Sequence, residues 1–181
     1  MIPPCHPMNS HSLLRRSAIL AVAVAGLFGG EARASGFTWE ITFQDALNSA
    51  TLRARPVVLV FTGSDWSPRS IRLEQEIFSN TEFAAWFGKT FSPCNADFPQ
   101  RRPLADATLA ENTSLAMKFN VKHFPTLVAL RPDGTEFARL EYNGETLAQM
   151  TAIVKSWRAR FEDPAPTAAS APAASQDTVA R

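Results

Sequence analysis

Apolar residues recur along this chain with two different periods, and their succession lays out the elements. Phe37, Trp39 and Ile41 alternate with polar neighbours, which predicts a short first strand over Gly36 to Ile41. Thr42 or a residue beside it then starts a helix that runs to Arg53. Pro56 opens the unbroken run Val57-Val58-Leu59-Val60-Phe61, the pattern of a central strand covered on both faces. Thr62-Gly63-Ser64-Asp65 reads as a turn. After it Ile71, Leu73, Glu74, Ile77 and Phe78 follow helical spacing, and Asn80-Thr81 breaks or re-caps that helix ahead of Phe83, Trp86 and Phe87. Thr90 to Phe98 is the next strand. Pro93 inside it calls for a short or near-edge position, because proline cannot donate to a ladder. A helix from Ala105 to Phe119 points Leu109, Leu115 and Phe119 at the core. Thr126 to Leu130, the turn Pro132-Asp133-Gly134 and Glu136 to Tyr142 form a hairpin. A closing helix over Glu145 to Phe161 carries Leu147, Met150, Ile153, Val154 and Trp157 at core spacing. The predicted order is βαβαβαββα, an α/β chain without internal repeats.

Both ends break this rhythm. Arg15-Arg16, the apolar run Ala18 to Phe28 and the small-residue sequence Ala32-Arg33-Ala34 have the order of a secretory signal, so residues 1–34 are expected to be removed after Ala34, whether translation starts at Met1 or Met8. The apolar run falls short of the roughly 20 residues that span a bilayer, so no membrane anchor is expected after cleavage. Export, to the periplasm or beyond, is the expected fate. At the other end, residues 162–181 are dominated by alanine, proline and serine, a composition that cannot bury enough apolar surface to order itself. The folded domain is therefore expected over residues 36–161.

Composition narrows the partners. The chain has 18 basic and 17 acidic residues, and the signal removes Arg15, Arg16, Arg33 and Glu31, leaving a nearly neutral domain without a long basic run. Nucleic acid and anionic membranes are therefore disfavoured as partners. Cys5 leaves with the signal, so Cys94 remains as a lone thiol, either inert in the core or free to pair with another molecule. His123 is the histidine that remains, and Cys94 with His123 makes no recognisable ligand spacing, so neither a metal nor a cofactor is expected.

The strand Val57 to Phe61, the approach Thr62-Gly63-Ser64-Asp65-Trp66, a four-residue motif Ser67-Pro68-Arg69-Ser70 at a helix start and Phe124-Pro125-Thr126 ahead of a hairpin together resemble the thioredoxin superfamily, in particular its exported bacterial members. The resemblance covers Phe37 to Arg160. It implies a thioredoxin fold, with a central mixed sheet flanked by helices on both faces. It also implies that Ser67 stands where the family places its attacking cysteine and Ser70 where it places the resolving one. Disulfide exchange proceeds through sulfur, so a hydroxyl at either position cannot perform it. Phe61 stands where thioredoxins proper carry a buried acid. The resemblance further implies that Pro125 is a cis-proline and that the backbone at Phe124 pairs with an extended substrate.

Each of these residues also has a structural reading. Ser67 is a good N-cap and Pro68 suits the first helical position. Ser70 is expected to be an exposed first-turn residue. Trp66 is either core packing or part of a substrate surface. A hydrolase built on Ser67 and His123 is disfavoured, since adjacency on a motif map supplies neither a base within reach nor an oxyanion site. The expectation is a non-catalytic module that binds a protein or extended peptide in a groove of Trp66, Ser67, Phe124 and Pro125. The alternative is a redox protein that works through the single thiol Cys94.

Overall fold

The computed structural model describes residues 36–163. The signal sequence, the tail from residue 164 and the choice of start codon lie outside the described residues. The elements in order are α1 (Phe43–Arg53), β1 (Val57–Thr62), α2 (Pro68–Leu73) running into a π-helical turn (Glu74–Phe78), α3 (Thr81–Thr90), β2 (Ser92–Asp97), α4 (Asp106–Lys118), β3 (Thr126–Leu130), β4 (Glu136–Glu141) and α5 (Leu147–Glu162). The strands form one mixed sheet in the order β2-β1-β3-β4, with β1 parallel to β2 and antiparallel to β3, and β3 antiparallel to β4.

Strand alternation divides the core into two layers. Val58 and Val60 of β1 face one side with Leu127 and Ala129 of β3, where they meet Leu73, Ile77, Phe78, Phe83, Phe87, Met150, Val154 and Trp157 from α2, the π turn, α3 and α5. Val57, Leu59 and Phe61 face the other side with Val128 and Leu130, under Ala46 and Ala50 of α1 and Leu115 of α4. Covered on both faces, β1 needs no polar alternation, which is why it reads as a continuous apolar run. Among the described residues no helix is long and apolar enough to cross a membrane.

Local chemistry sets the helix limits. Thr42 caps α1 by accepting from the Asp45 N–H, and Asp45 reciprocates at the Thr42 N–H, a capping box. Asn80 caps α3 and Thr146 caps α5. The C-cap of α1 is Ala54, held in the left-handed region at φ 48° with its N–H bonded to the Ala50 and Thr51 carbonyls. That conformation is costly for a residue with a Cβ.

Three expectations need correcting. The predicted first strand reduces to a single bridge between Glu40 and Cys94, in which the Glu40 N–H donates to the Pro93 carbonyl at 2.8 Å, so the order begins with α1. Pro93 is the reason: it turns its carbonyl to the outer edge of β2 and has no N–H to extend the ladder. Ile41 is left 92% exposed. In α4, Leu115 and Phe119 are buried as expected while Leu109 is 45% exposed, and the buried position is taken by Asn112, whose amide donates to the Asp97 carbonyl at 2.8 Å. Finally, α5 takes in Glu162, assigned above to the tail, where it pairs with Arg158.

Candidate functional site

The motif lies where β1 hands the chain to α2. Ser67 is the N-cap of α2, accepting from the Ser70 N–H at 3.3 Å, with Pro68 at the first helical position. Its hydroxyl also donates to the Phe124 carbonyl at 3.4 Å, tying the motif to the loop ahead of β3. Ser70 corrects the sequence expectation. It is 3% exposed, and its Oγ accepts the Gly63 N–H at 3.1 Å. A buried N–H left without an acceptor is costly, so the Ser70 hydroxyl has a structural task.

Trp66 spans the two readings left open for it. Its indole N–H donates to the Phe98 carbonyl at 2.7 Å, and its half-buried ring meets Phe124 edge-on at 5.8 Å. Gly63 lies beneath that ring so closely that a Cβ there would come within 2.5 Å of it. The Phe124–Pro125 peptide is cis, and the Pro125 carbonyl accepts the Tyr142 N–H at 3.1 Å. The structure thus brings Trp66, Ser67, Phe124 and Pro125 together. Phe98 packs on Phe124 at 5.2 Å and continues their aromatic surface. Beside Phe124 an open groove of about 370 Å³ runs between Phe98 and α4, floored by Ala116 and Val121, with Met117 70% exposed at its rim.

Sequence reasoning missed the acidic residues that hold this region. The Asp65 carboxylate accepts the N–H groups of Gln100 and Arg101 at 2.9 and 2.7 Å, which pull its pKa below the ordinary carboxylate range and fasten the basic loop to the motif turn. Asp97 accepts from the Ser64 N–H and hydroxyl and pairs with Arg102 at 2.6 Å. A turn residue and a strand end with short acidic side chains were the available signals.

No catalytic constellation completes the site. His123 is exposed, and the partners of the Ser67 hydroxyl are the Ser70 N–H and the Phe124 carbonyl. Phe61 is fully buried against Phe119 and offers no proton-transfer group. Among the described residues no three His, Cys, Asp or Glu side chains gather as a metal site would require. Cys94 lies away from the motif, midway along β2 opposite Leu59 and packed with Ala46 and Ala50 of α1. It is 4% exposed. Burial, with the charges of Glu111, Glu40 and Asp45 adding to it, pushes its thiol up to about 12. A thiol in that setting stays protonated and inert.

Comparison with known proteins agrees with this fold. The family profile of the thioredoxin-like domain matches residues 43–155. The disulfide bond reductase DsbH of Chlamydia pneumoniae is 29% identical over 123 residues, spanning 68% of this chain and 74% of that protein. The thioredoxin-related protein DsbJ of the same organism is 24% identical over 71% of this chain, which spans only 37% of that longer relative. Among solved structures, a DsbH oxidoreductase superposes with a TM-score of 0.63 at 26% identity, covering 81% of this chain and 93% of that one. A thioredoxin from Thermus thermophilus superposes with a TM-score of 0.55 at 19% identity, over 70% of this chain and 90% of its own, a likeness of fold.

Proposed function

Because this chain belongs to the thioredoxin-like domain family, we propose that it is an exported, redox-silent member that holds an extended stretch of polypeptide along the Phe124–Pro125 backbone without exchanging disulfides. The observation that carries the reading is the contrast within one site: the frame of Trp66, Phe124 and Pro125 is intact, while the two positions that would need sulfur are Ser67 and Ser70. The bound segment pairs its backbone with the loop backbone at Phe124 and lowers an apolar side chain into the groove between Phe98 and Met117. Export rests on the leader-like pattern of residues 1–34.

A second reading keeps the disulfide chemistry named for the relatives, and those names support it more directly than they support binding. Its thiol is Cys94, whose thiolate would attack a partner's disulfide, join one sulfur as a mixed disulfide and release the other as a thiolate. Burial under α1 and a pKa pushed up to about 12 weigh against it.

Titrating the protein with capped extended peptides, and following backbone amide shifts, separates the two. Binding localised to Trp66, Phe124 and Thr126, and weakened about tenfold or more by Phe124→Ala, is the expected result for a hot-spot aromatic. Absence of shifts there, together with reduction of a standard disulfide substrate that disappears in Cys94→Ala, would establish the second reading.

A further inference from the structure

Behind the motif, on the side of α2 away from Phe124, a cavity of about 380 Å³ opens at the carboxyl ends of the parallel strands β1 and β2. Crevices at that position are where open α/β sheets take their ligands. Trp39 and Phe78 wall it, packed edge-to-face at 5.3 Å, and the floor is polar, with Thr62 ending β1 and Asn95 and Asp97 from β2. None of these residues lines the groove at Phe124.

The polar groups declare a sign. Asp97 is answered by Arg102 and by the Ser64 N–H and hydroxyl. The Thr62 hydroxyl lies 2.9 Å from both Asp97 Oδ1 and Asn95 Oδ1, yet it has one proton to give. Two acceptor oxygens that line the cavity therefore compete for a single donor. Glu74, from the π-helical turn, lines it too, and its carboxylate has neither an ion pair nor a hydrogen bond among the described residues. Although the residue as a whole is exposed, partial burial of its carboxyl raises its pKa. With Arg102 paired to Asp97, the surplus charge in the cavity is one negative, carried by Glu74.

We propose that this cavity is a second binding site, for an organic cation: an ammonium or guanidinium group set against Glu74 and Asn95, on a flat apolar body packed against the joined surface of Trp39 and Phe78. The site is separate from the peptide groove and stands whether or not that groove holds a polypeptide.

Phenethylamine, phenethyl alcohol and phenylacetate are matched probes of this charge preference, read by saturable shifts of the Trp39 indole N–H and by calorimetry on the full chain. Phenethylamine is expected to bind at least about tenfold more tightly than the alcohol, the worth of a charge-assisted hydrogen bond, and phenylacetate more weakly still. Glu74→Gln should reduce the amine to the affinity of the alcohol. Arg102→Ala should strengthen amine binding several-fold by releasing the Asp97 carboxylate, an effect opposite in direction to that of an unfolding variant. A capped Gly-Lys-Gly peptide in parallel distinguishes a free amine from the side chain of a partner protein. Equal binding of the three probes, no Trp39 shift with phenethylamine, or unchanged affinity in Glu74→Gln would overturn the assignment.

Discussion

Ser67 and Cys94 occupy opposite settings for a negative charge. Ser67 sits at the start of α2, where the Ser70 N–H that its side chain now accepts and the positive end of the helix dipole would favour a thiolate. Cys94 lies halfway along β2 under α1, where apolar packing and the carboxylates of Glu111, Glu40 and Asp45 all oppose one. The chain therefore places a hydroxyl where sulfur would be reactive and a thiol where sulfur is inert. The difference teaches that cysteine count alone is a poor guide to redox function, because the setting decides what the atom can do.

The contrast can be broken most severely by moving sulfur into the favourable place. In a Ser67→Cys variant the new thiol should ionise below the ordinary cysteine value of 9.0, whereas Cys94 does so at about 12. Alkylation by iodoacetamide at pH 7, read by mass spectrometry, should run at least about 10³-fold faster at position 67 than at position 94, from thiolate fraction alone. The Ser67→Cys/Ser70→Cys double variant should gain reduction of a standard disulfide substrate. A double variant that folds and binds peptide but stays inactive would show that the frame around the motif, and not only the missing sulfur, has departed from the chemistry.

The buried side of the contrast has its own signature in alkali. Cys94 in the unfolded chain ionises near its ordinary value of 9.0 while the folded thiol holds its proton to about 12. Between those values the unfolded state sheds a proton that the native state keeps, so stability is full below pH 9 and is lost as pH rises toward 12. Denaturant melts of the native protein against Cys94→Ala should diverge with a slope of about 1.4 kcal/mol per pH unit over that window. Parallel curves would mean that the thiol is not sealed.

A smaller effect tests the seal itself. Ala54 closes α1 over Cys94 in a left-handed conformation that glycine adopts without strain. Ala54→Gly should stabilise the protein by about 0.5–1 kcal/mol and, by tightening α1, slow the alkylation of Cys94 a few-fold in the native state.

Most of the scaffold was legible in the sequence because its signals are local. The unbroken run Val57 to Phe61 announces a strand with both faces covered, and Ser67-Pro68 announces a helix start. The misreadings share a cause, which is that local pattern was overruled by a distant partner. Phe37, Trp39 and Ile41 alternate like a strand, yet pairing depends on what Pro93 can offer across the gap. Ser70 has the sequence context of an exposed first turn and is buried by its bond to Gly63. The cavity behind the motif was invisible because Trp39, Thr62, Glu74, Asn95 and Arg102 come from five separate stretches, and no spacing rule connects them.

The single bridge at Pro93 also bears on how the molecule behaves in a crowd of its own kind. A sheet edge with free donors and acceptors invites a strand from another copy, and that is a common beginning of aggregation. Here the β2 edge carries a proline and is covered at one step by Glu40, while the β4 edge at the opposite side carries Glu136, Arg139 and Glu141. One border is blocked by missing hydrogen-bonding capacity and the other by charge. The chain forgoes a fifth strand at Pro93, and the same missing donor keeps neighbouring molecules from supplying one.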